Sequence, residues 1–138
     1  MNKFDGKWKL TNSDTANFEK YMAALGVGWA TRKIGAKLGR TITFEANSDG
    51  SGFHIISVST LKTGDKNIKL DEEFEGERDD KVKVFTKFTF EDGCLVQNER
   101  TRDGKLSYKH RWVLVNENSF EMHLALGDVK VCQVYTKQ

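Results

Sequence analysis

The 138-residue sequence contains no proline, only two cysteines and no apolar run long enough to cross a bilayer. Without proline, chain reversals depend on glycine, asparagine and aspartate, so turns are expected at those residues. Cys94 and Cys132 are far apart and outside any C-x-x-C pattern, which favours reduced thiols in a cytosolic protein. The N-terminal residues have no apolar signal core, and there is no N-x-S/T sequon. We therefore expect a cytoplasmic protein.

The sequence also has little net charge. Lysine and arginine number 22 against 20 aspartates and glutamates, a formal net charge of +2, which gives no reason to expect nucleic-acid binding. Hydrophobic residues make up 38% and charged residues 30%. This balance suits an antiparallel sheet that contacts water on one face. The length fits a single domain over residues 1–138 that buries a core without disulfides or metals, and we expect a monomer.

Two short stretches have helical spacing, after a predicted first strand at residues 4–10. The apolar positions of the first stretch are Phe18, Met22 and Leu25. It can end at Gly26, and its N-cap is one of three consecutive residues: Ser13, Asp14 or Thr15. The second stretch, residues 27–38, has an apolar face made of Ala30, Ile34 and Leu38. Neither helix is long enough to be stable alone, so both must pack on the rest of the chain.

From residue 40 onward the apolar period is two. Turn signals recur about every 8–12 residues, one of them at residues 63–65. The clearest strand places four apolar residues on one face: Phe120, Met122, Leu124 and Leu126. A long meander exposes edge strands unless it closes, and a barrel of more than about eight strands encloses a cavity. The pattern predicts a hollow antiparallel up-and-down β-barrel with a helix pair over one open end.

Catalytic and metal-binding motifs are weak in this sequence. Residues 26–28 begin like a dinucleotide fingerprint, but no strand precedes them. Residues 59–62 match S-x-x-K without its partner motifs. The three histidines, His54, His110 and His123, lack metal-ligand spacing. We therefore expect a protein that is not an enzyme and that needs no metal or cofactor.

Three ordered motifs stand out in the first forty residues: Phe4-x-Gly6-x-Trp8-Lys9-Leu10, Asn17-Phe18-Glu19-x-Tyr21-Met22 and Ala24-Leu25-Gly26-Val27-Gly28-x-Ala30-Thr31-Arg32-Lys33. They resemble the intracellular lipid-binding proteins, the fatty-acid-binding protein family. The rest of the chain is similar to the family in strand and turn layout, so the resemblance covers nearly all of it. The resemblance implies an all-β fold: a ten-stranded antiparallel up-and-down barrel with a helix-turn-helix lid between the first two strands.

The resemblance also implies a site for the ligand's carboxylate. The family uses an Arg-x-Tyr pair on the last strand and an arginine on an earlier strand. Tyr135 matches, but Gln133 stands where the family has arginine; the two share one side of the strand. Counting from the turn at residues 103–104 assigns the earlier arginine to Arg111. Apolar alternation favours the opposite face, with Tyr108 and Trp112 inward, which leaves His110 as the alternative lining residue.

These matches imply a carrier of a long-chain fatty acid, its carboxylate held by Arg111, Gln133 and Tyr135. Glutamine at the last-strand position also occurs in relatives that carry retinol, so a retinoid or other neutral lipid is the alternative ligand. A non-carrier interaction module is a third hypothesis. Phe18 and Met22 match positions that touch the ligand.

Four further residues are expected at the ligand entrance: Val27, Arg32, Lys33 and Leu61. The basic ones, together with Lys37, either attract a carboxylate or an anionic membrane surface, or serve only solubility.

Overall fold

A computed structural model describes residues 2–35 and 39–138. Within these residues a 3₁₀ turn, Asn2–Phe4, precedes ten strands and two helices. The helices are α1 (Thr15–Ala24) and α2 (Trp29–Gly35). The strands are β1 (Gly6–Ser13), β2 (Arg40–Ala46), β3 (Gly52–Ser59), β4 (Thr63–Lys69), β5 (Phe74–Glu77), β6 (Lys83–Glu91), β7 (Cys94–Thr101), β8 (Ser107–Asn116), β9 (Ser119–Leu126) and β10 (Val129–Lys137).

All ten strands belong to one antiparallel sheet with the order β4-β3-β2-β1-β10-β9-β8-β7-β6-β5. Consecutive strands are therefore neighbours except β4 and β5, and the pairing of β1 with β10 joins the two ends of the chain. The up-and-down architecture and the helix pair after the first strand are confirmed.

Hydrogen-bonded closure of the barrel is incomplete, because β4 and β5 are the two edges of the sheet over the described residues. Side chains bridge these edges instead. The Lys62 Nζ donates to the Glu77 carbonyl oxygen at 2.7 Å, and the Lys66 Nζ lies 4.7 Å from the Phe74 ring centroid. Side-chain contacts therefore take the place of a backbone ladder at the gap between β4 and β5.

The turn expected at residues 63–65 lies instead within β4. Gly64 pairs with Ser57 of β3, and the chain reverses just before, where the Ser59 N–H donates to the Lys62 carbonyl oxygen at 3.0 Å. Gly64 takes part in the ladder through its backbone alone, since glycine has no side chain to pack.

An aromatic cluster fills part of the interior beside the cavity described below. Its members are buried: Phe4, Trp8, Phe44, Phe53, Phe88, Trp112 and Phe120. Phe44 and Phe53 stack with centroids 4.4 Å apart, and the Trp8 Nε1 donates to the Phe4 carbonyl oxygen at 2.7 Å. Phe88 and Trp112 also line the cavity, so they form the boundary between packed core and open space.

The first helix begins and ends as the sequence predicts. Asp14 is the N-cap; its Oδ1 accepts from the Asn17 N–H at 3.1 Å. Gly26 has a φ of 83°, the left-handed conformation that glycine adopts freely. Tyr21 and Met22 are the buried residues of α1, which packs against β9 and β10.

The second helix differs from the prediction. None of its residues is buried; Ala30 is exposed and Ile34 is 48% exposed, so the expected apolar packing face does not form. Leu38, the third residue of that face, and Lys37 lie outside the described residues. Trp29 is also 66% exposed. Neither described helix has the length and apolar character needed to cross a membrane.

Candidate ligand-binding cavity

A cavity of about 360 Å³ lies between the helices and the inner face of the sheet. Ligand sites for small molecules typically have volumes of about 300–1,000 Å³. Much of the wall is apolar and comes from the helices and from several strands: Phe18, Met22, Val27, Ile42, Ile55, Phe74, Val84 and Met122. Three groups of polar residues stand out in the lining.

The first polar group is formed by Arg40, Gln133 and Tyr135 and is called the Tyr135 site. Tyr135 is 1% exposed; burial raises the pKa of its hydroxyl, Arg40 lowers it and Asp79 raises it. Gln133 is buried, and its Nε2 donates to the Ser13 Oγ at 3.3 Å. Arg40 forms an ion pair with Asp79. The site therefore offers two neutral hydrogen-bond donors, Gln133 and Tyr135, and the Arg40 guanidinium. The ion pair with Asp79 partly neutralises the positive charge of Arg40.

The second polar group includes an arginine held beneath the end of α1. Arg78 donates from Nε to Asp80 Oδ1 at 2.9 Å and from Nη2 to Asp80 Oδ2 at 2.7 Å, and both side chains are 10% exposed. Nη2 also lies 3.3 Å from the Leu25 carbonyl oxygen. Burial lowers the pKa of Arg78, but its hydrogen bonds outweigh burial and raise the pKa above its usual value. Arg78 is therefore a permanent cation, and Asp80 balances its charge.

Glu99 and Tyr108 lie beside Arg78 on adjacent strands, directly paired across β7 and β8. Glu99 Oε2 accepts from Thr86 Oγ1 at 2.9 Å and from Gln97 Nε2 at 3.0 Å. In residues 2–35 and 39–138, no basic side chain forms an ion pair with Glu99. Tyr108 is 4% exposed, and burial raises the pKa of its hydroxyl. Arg78, Glu99 and Tyr108 together are called the lid-side site.

The third polar group connects the lid to the barrel wall. The Tyr21 Oη of α1 lies 2.8 Å from the His110 Nε2 of β8. Burial lowers the pKa of His110 to about 4; Glu99 opposes this change and Arg40 adds to it. Burial also raises the pKa of Tyr21, so both groups are uncharged at neutral pH. This pair supplies a hydrogen bond to the lid without adding charge to the cavity.

Known proteins are similar to this chain in fold and in sequence. A model of the Lipocalin / cytosolic fatty-acid binding protein family matches residues 5–138. The chain belongs to this family. Fatty acid-binding protein 5 of Bos taurus is 37% identical over 134 residues, covering 96% of this chain and 93% of that protein. Fatty acid-binding protein homolog 7 of Caenorhabditis elegans is 37% identical over 115 residues, covering 82% of this chain and 81% of that protein.

Solved structures of fatty-acid-binding proteins have the same fold as this chain. A Schistosoma mansoni fatty acid binding protein in complex with arachidonic acid has a TM-score of 0.88 and 30% identity, covering 100% of this chain and 98% of that chain. The crystal structure of Echinococcus granulosus fatty-acid-binding protein 1 has a TM-score of 0.87 and 27% identity, covering 99% and 98%. The family resemblance inferred from the three N-terminal motifs is confirmed.

In this fatty-acid-binding protein family member, one of the expected ligand residues lies on the wrong side of the barrel wall. Arg111 is exposed and pairs across the ladder with His123, which is exposed too. The expectation that Arg111 faces the lumen is therefore wrong. A shift of one residue moves a side chain to the opposite face of a strand. Counting residues from the turn at 103–104 therefore does not determine which face of β8 Arg111 occupies. Burial of Tyr108 and Trp112 sets the inward face of β8, and His110 lines the cavity in place of Arg111.

The other expected ligand residues line the cavity: Phe18, Met22, Gln133 and Tyr135. The expected entrance residues divide into two pairs. Val27 and Leu61 line the cavity. Arg32 and Lys33 do not; the Arg32 Nη1 donates to the Val27 carbonyl oxygen at 2.7 Å, and the Lys33 Nζ lies 3.1 Å from Glu19 Oε1. The Lys33–Glu19 contact connects the two helices, and the Arg32–Val27 hydrogen bond connects α2 to the segment that precedes it.

Sequence reasoning missed several polar lining residues: Arg40, Arg78 and Glu99. A signal was present for Arg40, which alternates with the inward residues Ile42 and Phe44 on β2. Glu99 likewise alternates with buried Leu95 on β7. A polar residue at an inward position of an apolar alternation is a candidate lining residue. Arg78 follows the end of β5, where no period indicates which way a side chain points.

Proposed function

We propose that this protein is an intracellular carrier that reversibly binds a long-chain fatty acid in the cavity, without a chemical reaction. The main support is a cavity of about 360 Å³ with an apolar wall and localised polar groups under a two-helix lid. Each buried CH₂ of the tail stabilises the complex by about 0.8 kcal/mol, before the cost of ordering the ligand is subtracted. Both cysteines are free thiols, in keeping with an intracellular protein.

The fatty-acid carboxylate binds at the Tyr135 site in this proposal. A carboxylate that leaves water needs hydrogen-bond donors and a positive charge to replace its hydration. The Tyr135 hydroxyl and the Gln133 amide are donors on the same face of β10, and Arg40 supplies the charge. Because Asp79 partly neutralises that charge, we expect the site to bind a carboxylate more weakly than a site with two unpaired arginines would.

A retinoid or other neutral lipid is the second candidate ligand. Gln133 and His110 occupy inward positions on β10 and β8, and neither carries a charge at neutral pH. A neutral head group loses less solvation on entering such a site than a carboxylate does.

The ligand enters near Val27 and Leu61 in this proposal, and α2 transiently contacts a membrane surface during exchange. Trp29 and Ile34 are the exposed large apolar residues of α2, and tryptophan favours the membrane interface. Transfer of a fluorescent fatty acid to phosphatidylcholine vesicles should be slower for Trp29→Ala than for the parent protein. A transfer rate independent of both the variant and the vesicle concentration would contradict this contact.

Calorimetric titration of the delipidated protein with oleate tests the carrier proposal. Micromolar or tighter binding is expected, and Tyr135→Phe should weaken it by about tenfold, because a hydrogen bond to a charged group contributes about 1.5–3 kcal/mol. Thermal unfolding of the variant checks that it remains folded. No binding of oleate, longer or shorter fatty acids, or retinol at micromolar concentrations would contradict the carrier function.

A further inference from the structure

The outer face of the β9–β10 hairpin carries three side chains that can bind a metal ion and that lie close together. Glu121 and His123 are two residues apart on β9, so they share one face of the strand. Cys132 of β10 pairs directly with His123 across the ladder. One ligand atom from each residue, a carboxylate oxygen, an imidazole nitrogen and the thiol sulfur, lies within 4.8 Å of the other two. Spacing along the chain gave no signal for this group, because Cys132 joins the other two only when β9 pairs with β10.

The three side chains already interact with one another. The His123 Nε2 lies 3.3 Å from the Glu121 Oε1. Burial raises the pKa of the Cys132 thiol, and the charge of the Glu121 carboxylate and a hydrogen bond to it raise this pKa further. The carboxylate thus contacts both the imidazole and the thiol, and all three groups meet in one small region of the outer surface.

The chemistry of these donors favours zinc over magnesium or calcium. Magnesium and calcium prefer oxygen ligands, whereas imidazole and thiolate suit zinc. Zinc binds its ligands in a tetrahedron at about 2.0–2.3 Å, so the ligand atoms of a zinc site are about 3.3–3.8 Å apart. Small side-chain rotations bring atoms that lie within 4.8 Å of one another to that spacing. One carboxylate and one thiolate balance the charge of Zn²⁺, and water can complete the fourth position.

Two basic residues border this group and affect how strongly it can bind a cation. Arg111 pairs with His123 across β8 and β9, and Lys130 precedes Cys132 by two residues on β10. Both basic residues are exposed, so water and salt screen their repulsion of a metal ion. We expect them to weaken metal binding without preventing it.

We propose that Glu121, His123 and Cys132 form a zinc site on the outer surface of the barrel. On binding, the Cys132 thiol gives its proton to water and its thiolate sulfur coordinates the ion, while His123 coordinates as the neutral imidazole. Met122 and Gln133 lie on the same two strands but line the cavity. The two strands therefore carry the lipid cavity on one face and the zinc site on the other, and zinc binding does not require a bound lipid.

Titration of the full-length, metal-free protein with zinc chloride, under a reductant that is not a thiol, tests this site. One ion per chain should bind with micromolar or tighter affinity. Cys132→Ser and His123→Gln should each weaken zinc by about a hundredfold or more, since loss of even an outer-shell partner typically costs about 10–100-fold. Cys94→Ser and His54→Gln change the same residue types on β7 and β3 and are the controls, with changes of less than about twofold.

The bordering charges give a test in the opposite direction. Arg111→Gln removes a cation beside His123 and should tighten zinc binding by about threefold at low salt. Glu121→Gln removes a charged ligand and should weaken zinc by about tenfold or more. Thermal unfolding without zinc checks that each variant remains folded.

Alkylation with iodoacetamide covers the case in which a ligand variant fails to fold, because it uses the unchanged protein. The free thiolate is the nucleophile, so coordination by zinc should slow alkylation of Cys132 by at least about tenfold. Cys94 provides the control within the same molecule, and its rate should change by less than about twofold. Mass spectrometry of the peptides measures the two rates separately.

Binding only at millimolar zinc, equal losses in the ligand variants and in the controls, or equal protection of the two cysteines would overturn the zinc site. The carrier proposal does not depend on any of these results.

Discussion

The Tyr21 hydroxyl lies 2.8 Å from the His110 Nε2, so a residue of the first lid helix is hydrogen-bonded to the wall of the barrel. Their ring centroids are 6.0 Å apart, and Tyr21 is 2% exposed. Both residues also line the cavity. The Tyr21–His110 pair therefore both holds the first lid helix against the barrel wall and contributes polar groups to the cavity lining.

Replacing Tyr21 with phenylalanine should loosen the lid. Tyr21→Phe removes the hydrogen bond and leaves the His110 Nε2 unpaired, so the free energy of unfolding should fall by about 1 kcal/mol. Urea denaturation measures this loss, and stopped-flow displacement of a fluorescent fatty acid should show faster release. If neither stability nor the release rate changes, this bond does not hold the lid.

His110 should make the protein less stable in acid. Its pKa is about 4 in the folded protein and about 6.5 in an unfolded chain, so between these values the unfolded state binds the extra proton. The free energy of unfolding should therefore fall as pH decreases from about 6.5 to about 4, by at most about 3 kcal/mol. Urea denaturation at several pH values measures this slope.

The matched comparison for this pH dependence uses two histidines on neighbouring strands. His110→Gln should flatten the slope, while His123→Gln, at an exposed position, should leave it unchanged. An identical slope in both variants would assign the acid sensitivity to other groups.

Removing the carboxylate that pairs with Arg78 should destabilise the fold strongly. Asp80→Asn leaves a buried guanidinium without its counter-charge, which typically costs about 3 kcal/mol or more. Glu75→Gln, which breaks the exposed Arg102–Glu75 contact, should cost less than about 1 kcal/mol. Chemical denaturation of the two variants compares these costs. Similar small losses would show that Asp80 is not needed to hold Arg78.

A methyl group should not fit at Gly52. A Cβ there would lie 1.9 Å from the Ile68 carbonyl oxygen, so β3 and β4 would have to separate. We expect Gly52→Ala to lower the free energy of unfolding by about 3 kcal/mol. Gly64→Ala, in the partner strand, meets no atom within 4 Å and serves as the control, with a change of less than about 1 kcal/mol. Equal midpoints in urea would refute the expected clash.

Two arginines on opposite faces of the wall should differ in their effect on fatty-acid binding. Arg40→Gln removes the cation of the Tyr135 site and should weaken oleate by about tenfold. Arg111→Gln, on the exposed face of β8, should change oleate affinity by less than about twofold. Calorimetric titration measures both. A larger effect for Arg111→Gln would place the carboxylate site elsewhere.

Much of the fold was predictable because it depends on residues close together in the chain. The inward face of β9, with Phe120, Met122 and Leu124 buried, follows from a period of two. Asp14 and Gly26 bound the first lid helix through caps that involve neighbouring backbone groups. The site was only partly predictable: Gln133 and Tyr135 line the cavity as expected, whereas Arg111 does not.

The sequence by itself determined that a helix pair is followed by a series of antiparallel strands joined by short turns. It could do so because hydrophobic periodicity and helix capping depend on residues close together in the chain. Tertiary structure alone decided which polar groups meet inside the barrel. Arg40 and Asp79 are 39 residues apart, and Tyr21 and His110 are 89 apart. Such contacts depend on the register of every intervening strand, and a shift of one residue in any of them would move a lining side chain to the outer surface.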